Sequence, residues 1–160
     1  MREWNDFFMA TAGAAAGLTG LIFVGISISL AKILSIATLP NRAFISLLLL
    51  LTILVLSLLF IVPGQSLTML GFEVLLTGFM TWVTVCIMDI LILRSKANQF
   101  KRLYVFNLLF NQASLLPYLA GGAVLLISGE KGLYWTVVAM VLSFIKAVLD
   151  AWVLLVEINR

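Results

Sequence analysis

Five side chains in the chain's second half could handle ions or protons: Asp89, Asn107, Asn111, Lys146 and Asp150. Each sits within a long apolar run. A charge at the centre of a membrane-spanning helix costs about 2.5–3.5 kcal/mol on insertion scales. Such residues therefore turn toward a bundle interior or a water-filled cavity, where they commonly mark an ion or proton path. Asp150 follows Lys146 by one helical turn, so the two share a face and can neutralise each other. Thr136, Ser143 and Glu157 extend that face. Asn107, Asn111 and Ser114 share a face of the preceding segment, continuing to Tyr118 and Gly121. Glu73, with Thr77, is expected to form a separate element nearer the other surface.

The cluster has two competing readings. In one, the carboxylates carry ions or protons and Lys146 is a gate or a charge to be displaced. In the other, the same groups lock helices together as a buried ion-pair network. A desolvated lysine also suits Schiff-base chemistry, but no other residue marks a chromophore pocket, so no cofactor is expected. The chain has no histidine, the commonest general base and transition-metal ligand. Its single cysteine, Cys86, lies in an apolar run and cannot form an internal disulfide. No serine–base or metal pair is evident, so neither an enzyme nor a metal site is expected.

The elements that position these residues follow from composition. The 160 residues are 63% hydrophobic and 11% charged, with a mean hydropathy of +1.19. A soluble domain is roughly 45–50% apolar and about 25% charged. So much apolar sequence must be solvated by lipid. The expected fold is all-α: a single polytopic transmembrane helix bundle covering residues 1–160, with spans at about 8–34, 43–62, 69–93, 103–127 and 133–158. The count falls to four if the segment holding Asn107, Asn111, Gln112 and Pro117 is re-entrant. The opening residues carry Arg2 but also Glu3 and Asp6, and the apolar run behind them is too long for a cleavable signal. The connections are too short for a soluble domain.

Basic residues set the orientation. Lys32, Arg42, Arg94, Lys96, Lys101, Arg102 and Arg160 collect on one side, leaving only Arg2 and Lys131 on the other. This predicts the N-terminus outside and the C-terminus in the cytoplasm. Trp4, Tyr134 and Trp135 are expected as outer interfacial anchors and Tyr104 as an inner one. Arg94, Lys96, Lys101 and Arg102 are expected to anchor on anionic lipid headgroups, at about 1 kcal/mol per basic residue. A net charge of +3 does not suggest nucleic acid.

The first helix carries a stripe of small residues, Gly13, Gly17, Gly20, Val24, Ser27 and Ala31, which includes a GxxxG pair. Such faces let helix backbones approach closely. The stripe is expected either to pack against a helix of this chain or of a copy, or to line a narrow pore on a symmetry axis. The second helix, whose polar relief is Ser46, Thr52 and Ser57, is expected to face lipid and carry no chemistry.

Several stretches resemble a group of small uncharacterised bacterial multi-pass membrane proteins. They are Phe7-Phe8, Gly13-Ala14-Ala15-Ala16, Leu18 to Val24, Leu39-Pro40 with Arg42-Ala43, and Ala151 to Ile158. The resemblance covers most of the length. It implies a bacterial plasma membrane and no particular activity. The function expected from the residues is a small homo-oligomeric channel or transporter for ions or protons. The alternative is a non-conducting accessory subunit that packs on another membrane protein through the small-residue face. The expected partners are further copies of the chain, membrane lipids and, for the alternative, that other membrane protein.

Overall fold

The computed structural model describes residues 4–36, 39–94 and 101–158, with side chains from 105 to 156 in the last stretch. The chain is helical in six pieces: α1 (Asn5–Ile28), α2 (Leu30–Ser35), α3 (Leu39–Ile61), α4 (Leu67–Arg94), α5 (Lys101–Ser128) and α6 (Lys131–Ile158). No strand occurs among the described residues. Every helix but α2 is long and apolar enough to cross a membrane. At 28 residues each, α4, α5 and α6 extend about 42 Å, beyond the ~30 Å hydrocarbon core.

Local chemistry sets the boundaries. Pro40 stands in the first turn of α3, where its missing N–H breaks no helical bond. Gly64, at φ +79°, turns the chain between α3 and α4, and Ser66 Oγ accepts from the Met69 amide at 3.2 Å to cap α4. Gly129, at φ +65°, ends α5 in the left-handed conformation that favours glycine. Despite Pro117, α5 runs unbroken as a full-length helix.

The helices α3, α4, α5 and α6 form a ring in which each packs on the next and α6 closes on α3, while α1 leans on α3 from outside. Large apolar side chains such as Leu21, Phe106 and Ile127 coat the exterior, Ile127 at 85% exposure. Water does not solvate a surface of that extent. The protein is an integral membrane protein.

Two expectations are revised. The first span does not run straight from 8 to 34. It breaks at Ser29, in the sparsely populated bridge region (φ −107°, ψ 18°). Gly25 and the serine pair weaken the helix there: Ser27 Oγ bonds back to the Phe23 carbonyl at 2.8 Å, and such back-bonding often bends helices. The short α2 then buries Ile33 against Leu39, Ala43 and Leu154. The second revision concerns α3. It is the most buried spanning helix, with 50% of its apolar window inside against 17% for α1. Ser46, Thr52 and Ser57 are all buried, because α3 packs on α4 and α6 within the ring and is covered from outside by α1.

The close backbone approaches lie between α4, α5 and α6. A Cβ on Gly122 would sit 2.9 Å from the Leu75 amide nitrogen, and one on Gly132 would sit 2.5 Å from the Gly121 carbonyl oxygen. Only glycine fits such contacts, and in lipid they supply packing that the hydrophobic effect does not.

Candidate functional site

Three helices deliver charge to one end of the ring, and a fourth delivers an amide. Asp89 comes from the last turns of α4, Lys146 and Asp150 from the C-terminal half of α6, and Arg42 from the first turn of α3, with Asn111 supplied by α5. Antiparallel connection puts these stretches at the same height, since α3 and α5 begin where α4 and α6 end.

Lys146 is 1% exposed although it lies just past the middle of α6. Its ammonium donates to Asp150 Oδ2 in a buried salt bridge one turn apart. Asp89 lies close enough to both for their charges to act on it. Asn111, fully buried, donates from Nδ2 to both carboxylate oxygens of Asp89, at 2.9 and 3.1 Å. Arg42 brings its charge within reach of Lys146. Lys146 and Asp150 are in contact and Arg42 and Asp89 lie within electrostatic reach of the pair, so the formal charges of the group sum to zero. That balance matters energetically, because an unpaired ion in this position would cost several kcal/mol, about 3–5 when one partner of a buried pair is removed.

From this cluster a polar seam runs along the contact of α5 and α6. Ser114 Oγ donates to the Phe110 carbonyl at 2.9 Å and reaches the Leu142 carbonyl at 3.4 Å. Ser143 Oγ reaches the Ser114 carbonyl, also at 3.4 Å. Tyr118 follows, fully buried, with its backbone against Gly78 of α4. Ser143 is close enough to act on its hydroxyl, in a geometry short of a hydrogen bond. Further along, Ala139, Met140, Leu125 and Leu133 fill the interior with apolar atoms. The seam therefore opens from one end and stops within the bundle. Among its buried polar atoms, Asn111 Oδ1 and Tyr118 Oη have no hydrogen-bond partner.

The structure thus brings Asp89, Asn111, Lys146 and Asp150 together. Asn107 is half-buried one turn from Asn111, nearer the same end. Glu73 stands apart: it accepts from Gln65 Nε2 at 2.7 and 2.8 Å, and the sixteen residues separating it from Asp89 along α4 amount to about 24 Å. Thr136 is buried on the α6 face and bonds back to the Gly132 carbonyl at 3.1 Å. Arg94 is exposed at the end of α4. Lys96 lies outside the described residues, as do Arg2, Arg160 and the side chains of Lys101, Arg102, Tyr104 and Glu157. Trp4 meets Tyr134 edge-on, with ring centroids 5.2 Å apart, at the bundle end opposite the charges.

The small-residue stripe is exposed at Gly13, Gly17, Gly20, Val24 and Ser27 of α1 and at Ala31 of α2. A Cβ on any of its three glycines would meet nothing within 4 Å. Within one chain this face packs on no helix, which corrects one of the two packing expectations. The glycines that do pack, Gly71, Gly78, Gly121, Gly122 and Gly132, are scattered singly or in one pair along α4 to α6 and form no motif.

Two parts of the site were not anticipated. Arg42 read as a topology marker, yet it belongs to the cluster; its place one turn before Ser46 on the same face was the available sign. Ser46 itself donates to the Ala147 carbonyl at 2.9 Å, tying α3 to the turn of α6 that holds Lys146. A second polar link joins α4 and α5: Trp82 Nε1 donates to Gln112 Oε1 at 2.6 Å, and Gln112 Nε2 reaches Cys86 Sγ at 3.4 Å. Among the described residues no group of three or more metal-ligating side chains gathers. Compared with known proteins, the chain matches no family model, no curated protein and no solved structure.

Proposed function

We propose that the protein is a small homo-oligomeric channel or transporter for ions or protons, with its charged cluster at the cytoplasmic end of the path. The observation that carries this reading is the buried Lys146–Asp150 pair, with the Asn111-bound Asp89 within its electrostatic reach, inside a ring of apolar helices. Ionisable groups at such depth are expensive to hold, and where they occur they commonly serve transport. The seam past Ser114 and Ser143 gives the cluster a direction into the bundle. The open α1 face supplies the surface for self-association. The asymmetry of basic residues favours an N-terminus outside and a C-terminus in the cytoplasm, and the resemblance to small bacterial multi-pass proteins is the support for a bacterial plasma membrane.

The test is flux in vesicles that contain the purified chain. Ion or proton movement above that of empty vesicles, reduced by Asp150→Asn and by Lys146→Met, supports the reading. Flux equal to empty vesicles, or unchanged by both substitutions, refutes it.

A second reading has its own observation. The pairing of Lys146 with Asp150 is self-contained, and the unoccupied α1 face suits an unrelated membrane helix as well as a copy. On that reading the chain is a non-conducting accessory subunit. Purification in mild detergent separates the two: a stoichiometric unrelated partner supports the accessory role, and a symmetric oligomer of this chain alone supports transport.

A further inference from the structure

We propose that the cavity between the α1–α2 break and α6 binds one acyl tail of an anionic phospholipid, whose phosphate rests against Lys32. The site is separate from the charged cluster and stands whether or not the protein conducts. It begins as a gap in the bundle. Both α1 and α6 pack on α3, yet they scarcely touch each other. Beside the break at Ser29 the gap becomes a half-enclosed cavity of about 140 Å³. Leu21, Gly25 and Ile26 of α1 line it, with Ile33 of α2 and Ala151 and Leu154 of α6. Every side chain in its wall is apolar.

An apolar cavity of this size stays dry and takes up an apolar guest. Left empty, its walls forfeit dispersion contacts, and in a membrane such contacts are much of what holds helices together. The shape selects a tail over a helix. A helix with its side chains is about 10–12 Å across, too wide for this volume, whereas an extended hydrocarbon tail is a single file of methylenes. The same width rules out α1 of a second copy. A wider gap on the same seam, beside Ala14 and Val141, is more open to the bilayer and grips a tail less.

Charge selects the headgroup. The cavity follows α1 from Leu21 to Ile26, about 8 Å. Ile33, packed on Leu39, Ala43 and Leu154, stands at its end nearer the membrane surface. Lys32 is the neighbour of Ile33 and is exposed at that end. The acids described there, Asp89 and Asp150, are both buried. An exposed ammonium therefore stands over an apolar slot, with no exposed acid beside it among the described residues. A tail in the slot brings its phosphate to the level of Lys32, and a headgroup of net negative charge gains most from that cation.

The experiment mixes the delipidated full-length protein, in mild detergent, with dioleoyl-phosphatidylglycerol or dioleoyl-phosphatidylcholine. Native mass spectrometry then counts the lipids held. The expected result is one phosphatidylglycerol per protein, bound about fivefold tighter than phosphatidylcholine, which is the worth of one basic residue near an anionic surface. Lys32→Gln should bring the two lipids level, and Lys131→Gln, at the opposite end, should leave the preference intact. Gly25→Leu and Ala151→Leu fill the slot and should each release both lipids. A Cβ on Gly25 meets nothing within 4 Å, so Gly25→Leu should unfold at the same temperature or higher, which separates a filled site from a lost fold. No lipid retained by the unchanged protein, or retention undiminished in both filled variants, overturns the site. Equal binding of the two lipids by the unchanged protein, or a preference that survives Lys32→Gln, overturns the role of Lys32.

Discussion

Asn111 of α5 holds Asp89 of α4 by both carboxylate oxygens, donating from one amide nitrogen at 2.9 and 3.1 Å. The contact joins two adjacent helices through a fully buried amide and a nearly buried acid, so its loss is felt in the fold as well as at the site.

Removing the amide should be costly. Asn111→Leu leaves the Asp89 carboxylate buried without its donor, and the expected destabilisation is about 1.5–3 kcal/mol, as for hydrogen bonds to charged groups. Unfolding in a graded detergent mixture measures it. Adding Asp89→Leu to the same chain should recover part of the loss, because two apolar groups leave nothing unpaired. A double variant weaker than Asn111→Leu alone would contradict the pairing.

The salt bridge gives a second such cycle. Lys146→Met strands the Asp150 carboxylate and should cost about 3–5 kcal/mol, while Lys146→Met combined with Asp150→Leu should cost much less. If the two single changes simply add, Lys146 and Asp150 do not act as a pair.

The glycines divide into two classes with opposite outcomes. Gly17→Leu meets nothing within the chain. It should leave the unfolding temperature of the monomer unchanged and abolish self-association in light scattering or cross-linking. Gly132→Ala puts a methyl 2.4 Å from the Leu125 amide nitrogen. It should force α5 and α6 apart and leave little folded protein to purify. An unchanged oligomer for Gly17→Leu would mean that α1 is not the interface.

Orientation is open to cysteine labelling in a Cys86→Ser background. Ser128 and Ser35 are exposed at opposite ends of the bundle. A membrane-impermeant maleimide applied to intact cells should label Ser128→Cys and spare Ser35→Cys. The reverse pattern would invert the topology.

The interior of α3 to α6 is where sequence reading and fold part company. Apolar runs about as long as a bilayer is thick located each spanning segment, and no knowledge of contacts was needed, because lipid imposes length and hydrophobicity on each helix separately. The cost of burying charge likewise marked Asp89, Asn111, Lys146 and Asp150 as one inward-facing set, and the spacing of Lys146 and Asp150 paired them within α6.

Which helix sits where was not legible. Lipid and protein interior are equally apolar, so a leucine-rich α3 reads the same when covered by neighbours as when facing lipid; its place was decided by contacts with α1, α4 and α6. The membership of Arg42, the bond from Ser46 to the Ala147 carbonyl and the unpartnered hydroxyl of Tyr118 depend on the heights and rotations of neighbouring helices, which no single helix encodes. The same holds for the glycines. A GxxxG pair shows that a backbone can be approached, and only the assembled bundle shows that α1 offers this face to nothing in its own chain while Gly122 and Gly132, in no motif, carry the close contacts.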